Sequence, residues 1–196
     1  MYARLKEKKL WTYLLIITLV ISLCLNVYFY FLLQNSVGQN LKGSLYAASS
    51  FTANLGRATF FLNVQKPEDV NNNIQAYVYC ALSALEDLWT LRELNPQYLN
   101  YFEPIEDVVC FLSISIPTPP TIPQVLAIVS CNASLAMEAM NELNQTASQK
   151  IFEMSHEVSE AFTSHGVNAS RLQNAVNFVS ELQTILDQWV AKYSQT

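Results

Sequence analysis

The sequence predicts an all-α protein, with an N-terminal transmembrane helix followed by an extracytoplasmic antiparallel bundle of four to five helices. Three observations support this prediction. Residues 11–33 contain no charged side chain, apolar residues recur at every third or fourth position through much of residues 34–196, and the chain has only four glycines. Scarce glycine is typical of long helices, because glycine in a helix interior costs about 1 kcal/mol relative to alanine. Residues 34–196 are numerous enough for one domain with its own core.

The uncharged run, residues 11–33, is long enough to cross a membrane once. Its 23 residues make a helix of about 34 Å, against a hydrocarbon core of about 30 Å. Aromatic residues stand at both ends, with Trp11 and Tyr13 at one end and residues 28–31 at the other. Such rings form belts at membrane interfaces. A cleaved signal peptide is the alternative, with residues 36–38 as its small-residue site, although its apolar region usually has about 7–15 residues.

The charges on either side of the span differ in sign. Residues 1–10 have four basic side chains and one acidic side chain, a net charge of +3, and residues 34–196 have a net charge of −8, which together give −5. Basic residues before a span keep that end inside the cell. We therefore expect a cytoplasmic tail of residues 1–10 and an extracytoplasmic domain of residues 34–196. An acidic domain without a basic patch excludes nucleic acid as a partner.

Three polar residues within the span, Thr18, Ser22 and Asn26, are spaced by four and share one helix face. Polar side chains of this kind bridge neighbouring helices in lipid, at about 0.6 kcal/mol each. The face predicts a homo-oligomer formed through the membrane helix. The alternative is that the two hydroxyl groups bond to carbonyls of their own helix.

Apolar stripes predict the first helices of the outer domain. A stripe over residues 39–64 predicts a helix that continues the membrane helix outward. A second helix begins at Pro67, a residue favoured in the first turn, and ends at Asn95. A shorter helix follows, which we expect to break near Pro104 and to reach about Ser113.

The second half of the domain begins after a proline-rich connector. The four prolines within residues 117–123 exclude a second membrane span. A Thr-x-x-Gln capping-box pattern at Thr121 predicts the start of a long helical run that reaches Ser164. Gly166 supplies the left-handed cap after it. A last helix with a heptad-like stripe begins near Asn168.

The four cysteines divide into one in the span, Cys24, and three outside it, Cys80, Cys110 and Cys131. Three cysteines cannot all pair within one chain. In the hairpin that turns at Pro96, Cys80 and Cys110 lie at nearly the same height, which makes them the preferred disulfide. Free buried thiols are the alternative.

The strongest candidate for metal chemistry is the Glu-x-x-His pair of Glu153 and His156. This pair is half of the motif found in di-metal helix bundles. The second half is missing, since the other histidine, His165, has no glutamate three residues before it. The neighbouring Glu157 and Glu160 fall with the pair on a face predicted to be solvated. We predict no metal, no cofactor and no catalytic site.

Three Asn-x-Ser/Thr sequons occur, at Asn132, Asn144 and Asn168. They would be glycan acceptors in a domain on the secreted side of the membrane. In a chain rich in asparagine, serine and threonine, two or three such triplets also arise by chance, so they carry no weight alone. Two of them fall inside predicted helices. A glycan on either would show that this face of the helix is exposed, and would say little about function.

These features predict a membrane-anchored, non-enzymatic helical module that binds or scaffolds a protein partner outside the cell. The alternative is a sensor or carrier domain that binds an apolar or aromatic small molecule between helices. The aromatic residues Trp89, Tyr98, Tyr101 and Phe102 cluster around the second predicted turn and are the candidate pocket. Aromatic residues at such a turn also close the end of a core, in which case they line no pocket.

Overall fold

The computed structural model describes residues 2–114 and 120–195, without the side chains of residues 2–18, 20 and 32–37. The described chain is almost entirely helical, which confirms the all-α prediction. Its elements are α1 Tyr2–Phe61, α2 Val70–Leu94, α3 Leu99–Ser113, α4 Ile122–Val129, α5 Ala133–Ala161 and α6 Ala169–Tyr193, the strands β1 Phe162–Thr163 and β2 Gly166–Val167, and the short 3-10 helices Pro67–Asp69 and Pro96–Tyr98. The chain divides into two compact units, Met1–Asn40 and Leu41–Thr196.

The first unit contains the first part of α1, and its described side chains are exposed. Leu19 and Leu23 are each 63% exposed and Phe29 is 57% exposed. Among the residues that the structure describes, no helix is both long and apolar enough to cross a membrane. The predicted transmembrane segment falls partly outside this set, since the side chains of residues 11–18, 20, 32 and 33 are not described.

The second unit has one hydrophobic core, to which all six helices contribute. The end of α1 brings Phe51 and Leu55 into it, and α2 brings Leu88. Tyr77 is also fully buried, and its hydroxyl group donates a hydrogen bond of 2.8 Å to the carbonyl of Leu112 in α3. Burial raises the pKa of Tyr77 well above its usual value, so the phenol stays protonated and keeps this bond.

Two of the predicted helix ends are confirmed. Helix α3 ends at Ser113 as expected. Thr121 caps α4 through the predicted capping box, in which the Thr121 backbone N–H donates to Gln124 Oε1 at 2.9 Å. The break expected at Pro104 is wrong, since α3 continues through this residue. Pro104 is the sixth residue of α3 and has no N–H to donate to the carbonyl of Asn100, and the helix continues without this bond.

The long helical run predicted from residue 121 to Ser164 is instead two helices, α4 and α5. They are separated because Asn132 leaves the helical conformation and its side chain accepts hydrogen bonds from the backbone N–H groups of Ser134 and Leu135. The end of the run also differs from the prediction. Helix α5 stops at Ala161, and the antiparallel pair β1–β2 turns the chain into α6. Gly166 has a φ of 130°, so it serves this hairpin rather than a helix cap.

Candidate binding groove

Helices α1 and α5 run antiparallel and are joined by polar contacts at two separate levels. At one level the Thr52 hydroxyl group donates to the carbonyl of Ser155 at 2.7 Å. At the other, the Asn141 side chain forms two bonds with the backbone of Val64, each of 3.0 Å. From Thr52 to the end of α1 at Phe61 the helix covers about 14 Å. The two helices are therefore fixed relative to each other along this distance.

Between these contacts lies a groove of about 360 Å³. Its α1 side consists of Gly56, Thr59 and Phe60, followed by Asn63 just beyond the helix. Its α5 side consists of Asn144, Ser148, Gln149 and Phe152. The groove is open where α1 has no side chain: a Cβ atom added to Gly56 would meet nothing within 4 Å.

Two phenylalanine side chains stand in the groove wall and are turned toward solvent. Phe60 is 72% exposed and Phe152 is 52% exposed. The Phe152 ring stacks on His156 with a centroid distance of 5.7 Å, and the Phe60 ring meets Phe61 edge-on at 5.6 Å. Such contacts hold the rings in place. Large exposed apolar side chains beside polar groups are characteristic of binding surfaces.

The polar part of the lining is uncharged. Two hydroxyl groups are occupied locally, because Thr59 donates to the carbonyl of Gly56 at 2.9 Å and Ser148 donates to the carbonyl of Asn144. Asn63 accepts a bond from Gln65 through Oδ1, and its Nδ2 has no partner among the described residues. Within the same set, the side-chain amide of Asn144 makes no hydrogen bond. The groove thus presents amide groups and no side chain that titrates near neutral pH.

The four aromatic residues of the predicted pocket lie in different surroundings. Trp89 is 41% exposed and its indole N–H donates to Glu106 at 2.9 Å. Phe102 is fully buried and stacks on Phe162 at 6.4 Å. Tyr98 and Tyr101 contact each other with ring centroids 6.3 Å apart. The four side chains lie partly in the core and partly on the surface, and none of them lines the α1–α5 groove.

The predicted disulfide is not formed, since Cys24, Cys80, Cys110 and Cys131 are all free thiols. Burial raises the pKa of Cys80, against the opposing charge of Arg57 on α1. Burial also raises the pKa of Cys110, with Glu106 and Asp107 adding to the shift. Cys80 lies near α1, whereas Cys110 lies near acidic residues of α3. The equal heights that favoured this pair do not fix the direction in which each side chain points.

The remaining predicted residues are dispersed. Ser22 and Asn26 are exposed on α1, and the side chain of Thr18 lies outside the described residues. In the predicted metal half-motif, His156 stacks on Phe152, while Glu153 bonds with Gln149 at 3.0 Å. No group of three or more metal-binding side chains occurs within the described part of the chain.

The three sequons occupy two kinds of position. Asn132 and Asn168 each belong to an Asn-Ala-Ser triplet and cap a helix, α5 and α6 respectively. Asparagine with a small polar residue is a favoured helix start, which explains both triplets without reference to glycans. Asn144 alone lies inside a helix, in the groove wall. Of the two sequons expected inside helices, Asn144 does lie within α5, whereas Asn132 caps that helix instead.

The groove was not predicted from the sequence. Its local signals are Gly56, which lies near the end of α1, and Phe60, which lies off the apolar stripe of that helix. No family model, curated protein or solved structure matches this chain. Its function is therefore argued from its own residues.

Proposed function

We propose that this protein is a membrane-anchored, non-enzymatic module whose extracytoplasmic helical domain binds a protein partner. The observation that carries this proposal is the α1–α5 groove, a concave surface held open by contacts at two levels and flanked by the exposed rings of Phe60 and Phe152. Aromatic side chains supply a large share of the binding energy at protein interfaces. A groove that is already formed lowers the cost of ordering the surface on binding.

The membrane anchor is proposed from residues 11–33, which are uncharged and follow a basic tail. Leu19, Leu23 and Leu25 of this run are at least half exposed, as side chains that face lipid would be. We further propose that residues 34–196 lie outside the cell and that Thr18, Ser22 and Asn26 associate with a second copy in the membrane.

A second candidate function is the binding of a small molecule in the same groove. The groove volume of about 360 Å³ lies within the range of small-molecule sites, about 300–1,000 Å³. The exposure of both phenylalanine rings to solvent favours the protein partner, because small-molecule sites enclose most of their ligand.

The orientation is tested by adding a protease to intact cells. We expect digestion of the C-terminal domain and survival of the N-terminal tail, detected with a tag at each end. A C-terminal domain that is protected until the cells are lysed would contradict the proposed orientation.

The partner is tested by co-purification from detergent-solubilised membranes. We expect a protein that accompanies the wild type to be lost from the double variant Phe60→Ala with Phe152→Ala. Tyr79→Ala is the matched control, because Tyr79 is 73% exposed on α2 and lies outside the groove lining. Equal loss with the control variant, or retention by the double variant, would place binding elsewhere.

A further inference from the structure

We infer that the α1–α5 groove binds an uncharged, extended peptide segment of the partner, with the main chain of the peptide bonded to Asn63 and Asn144. This inference rests on the proposed function and specifies the chemistry of the partner. The side chains of the bound segment would contact the rings of Phe60 and Phe152, which stand in the wall of the same groove.

The charge of the groove points to an uncharged ligand. None of its lining residues is acidic or basic. A charged ligand group would gain no ion pair from this lining, whereas neutral amide and hydroxyl groups can exchange hydrogen bonds with it.

The amide groups point to a peptide main chain. A side-chain amide has a donor and an acceptor next to each other, as a peptide group does, so the two can pair. The Asn144 amide has no partner within the described part of the chain, and the Nδ2 of Asn63 is likewise unused there. Both asparagines are thus available to a bound segment.

The conformation of the bound segment follows from the same amides. A helical ligand bonds its own main-chain groups internally and would leave the asparagines unpaired. An extended segment keeps its N–H and C=O groups free to pair. Along α5, the lining from Asn144 to Phe152 covers about 12 Å, which is the length of about three or four extended residues at 3.3 Å each.

The test measures binding of the full-length protein, in detergent micelles, to an array of random-sequence peptides. A parallel array of neutral oligosaccharides provides the competing ligand class, because sugars also pair with amides and stack on rings. We expect binding to a subset of uncharged peptides. Binding to oligosaccharides alone, or only to charged peptides, would overturn the inference.

Two groove variants locate the bound peptide. Gly56→Trp places a ring in the open space of the groove, and we expect it to weaken peptide binding at least about tenfold. Ala53→Trp is the matched control, because Ala53 is exposed on the same helix and lies outside the lining. Asn144→Ala should weaken binding about five- to tenfold, which corresponds to one lost hydrogen bond. Its side chain is only partly buried and makes no hydrogen bond within the described residues, which makes Asn144→Ala a second test if Gly56→Trp does not fold.

Peptides that bind all variants equally well would contradict the inference. The proposed function has its own readout in co-purification. If no peptide binds, but the partner is still lost from the Phe60→Ala and Phe152→Ala double variant, the inference is wrong and the proposed function stands. If the partner is retained by that double variant as well, both are wrong.

Discussion

Helix α5 faces α6 on one side and α1 on another, and the two interfaces differ in how they are filled. Toward α6 it packs tightly: Trp189 is 3% exposed and its indole N–H donates to the carbonyl of Ala139 at 2.9 Å. Ion pairs lie beside this seam, from Glu142–Lys192 near its start to Glu157–Arg171 near its end. Toward α1, polar contacts at two levels enclose an open groove.

The two interfaces differ in which side chains they bury. The large side chains of Leu182, Leu186 and Trp189 on α6 are buried, whereas the α1–α5 groove is lined by glycine, by uncharged polar side chains and by two phenylalanine rings that are turned toward solvent. Side chains that stay exposed contribute little to folding through burial. Residues that line such an interface are free to serve binding, and substitutions there should separate binding from stability.

The largest difference in unfolding free energy is expected between two aromatic substitutions, one at Trp189, which packs against α5, and one at Phe152, which lies on α5. Trp189→Ala removes a buried ring and its hydrogen bond to the Ala139 carbonyl, and should cost about 3–5 kcal/mol of unfolding free energy. Phe152→Ala, in the groove, should cost less than about 1 kcal/mol because the ring is 52% exposed. Denaturant unfolding followed by circular dichroism measures both. Similar losses for the two variants would mean that the groove is part of the core.

Two asparagines of the same helical segment provide a smaller contrast. Asn132→Ala removes the cap of α5, whose side chain accepts bonds from two backbone N–H groups, and should cost about 1 kcal/mol. Asn144→Ala removes a side chain that has no hydrogen bond within the described residues, and should change stability by less than about 0.5 kcal/mol. The same unfolding assay compares them. A larger loss at position 144 would mean that this amide is structural.

Two glycines of α1 extend the comparison to helix propensity. Gly56→Ala should stabilise the fold by about 0.5–1 kcal/mol, because alanine favours the helix and its Cβ meets open space. Gly43→Ala should gain less, since its Cβ would lie 3.0 Å from Leu94 Cδ1 and the leucine must move. Thermal unfolding of the two variants measures the difference. A loss of stability in Gly56→Ala would mean that the added Cβ meets other atoms and that the groove is closed in solution.

The smallest expected effect is the pH dependence of stability that Glu142 contributes beside the α5–α6 seam. Hydrogen bonds from Lys192 and Tyr193 hold the pKa of Glu142 below its usual 4.5. A folded pKa below the unfolded one stabilises the fold at higher pH, and this contribution is lost as the pH falls through the folded pKa. Wild type should therefore be slightly more stable than Glu142→Gln at pH 7, and the difference should shrink below about pH 4.5. Melting temperatures measured from pH 7 to pH 3 test this. A difference that stays constant with pH would contradict the role of the carboxylate.

The sequence predicts the helices well because their apolar stripes are local and periodic. The stripe of α6, with Leu172, Leu182 and Leu186 fully buried, forms one side of the core as expected. Helix boundaries were predicted less well where a single side chain decides them. Asn132 divides the long run because its amide competes for the backbone of the next turn, and neighbouring sequence does not show which asparagine does so.

The groove could not be predicted from the sequence for a different reason. Gly56 and Asn144 are 88 positions apart, and no local sequence pattern indicates that α1 packs beside α5. The candidate aromatic residues show a related limit: Trp89 and Phe102 are close to one turn in sequence, but Trp89 is 41% exposed and Phe102 is fully buried. Proximity in sequence gives no side-chain direction.

The most direct test of the central claim is site-specific photo-cross-linking in intact membranes. A photoreactive amino acid is placed at Phe60 or Phe152 in the groove, and at Tyr79 on α2 as the exposed control. We predict that both groove positions cross-link to the same protein and that the Tyr79 position does not. Cross-linking from Tyr79 with none from Phe60 and Phe152 would contradict the claim that the α1–α5 groove is the binding surface.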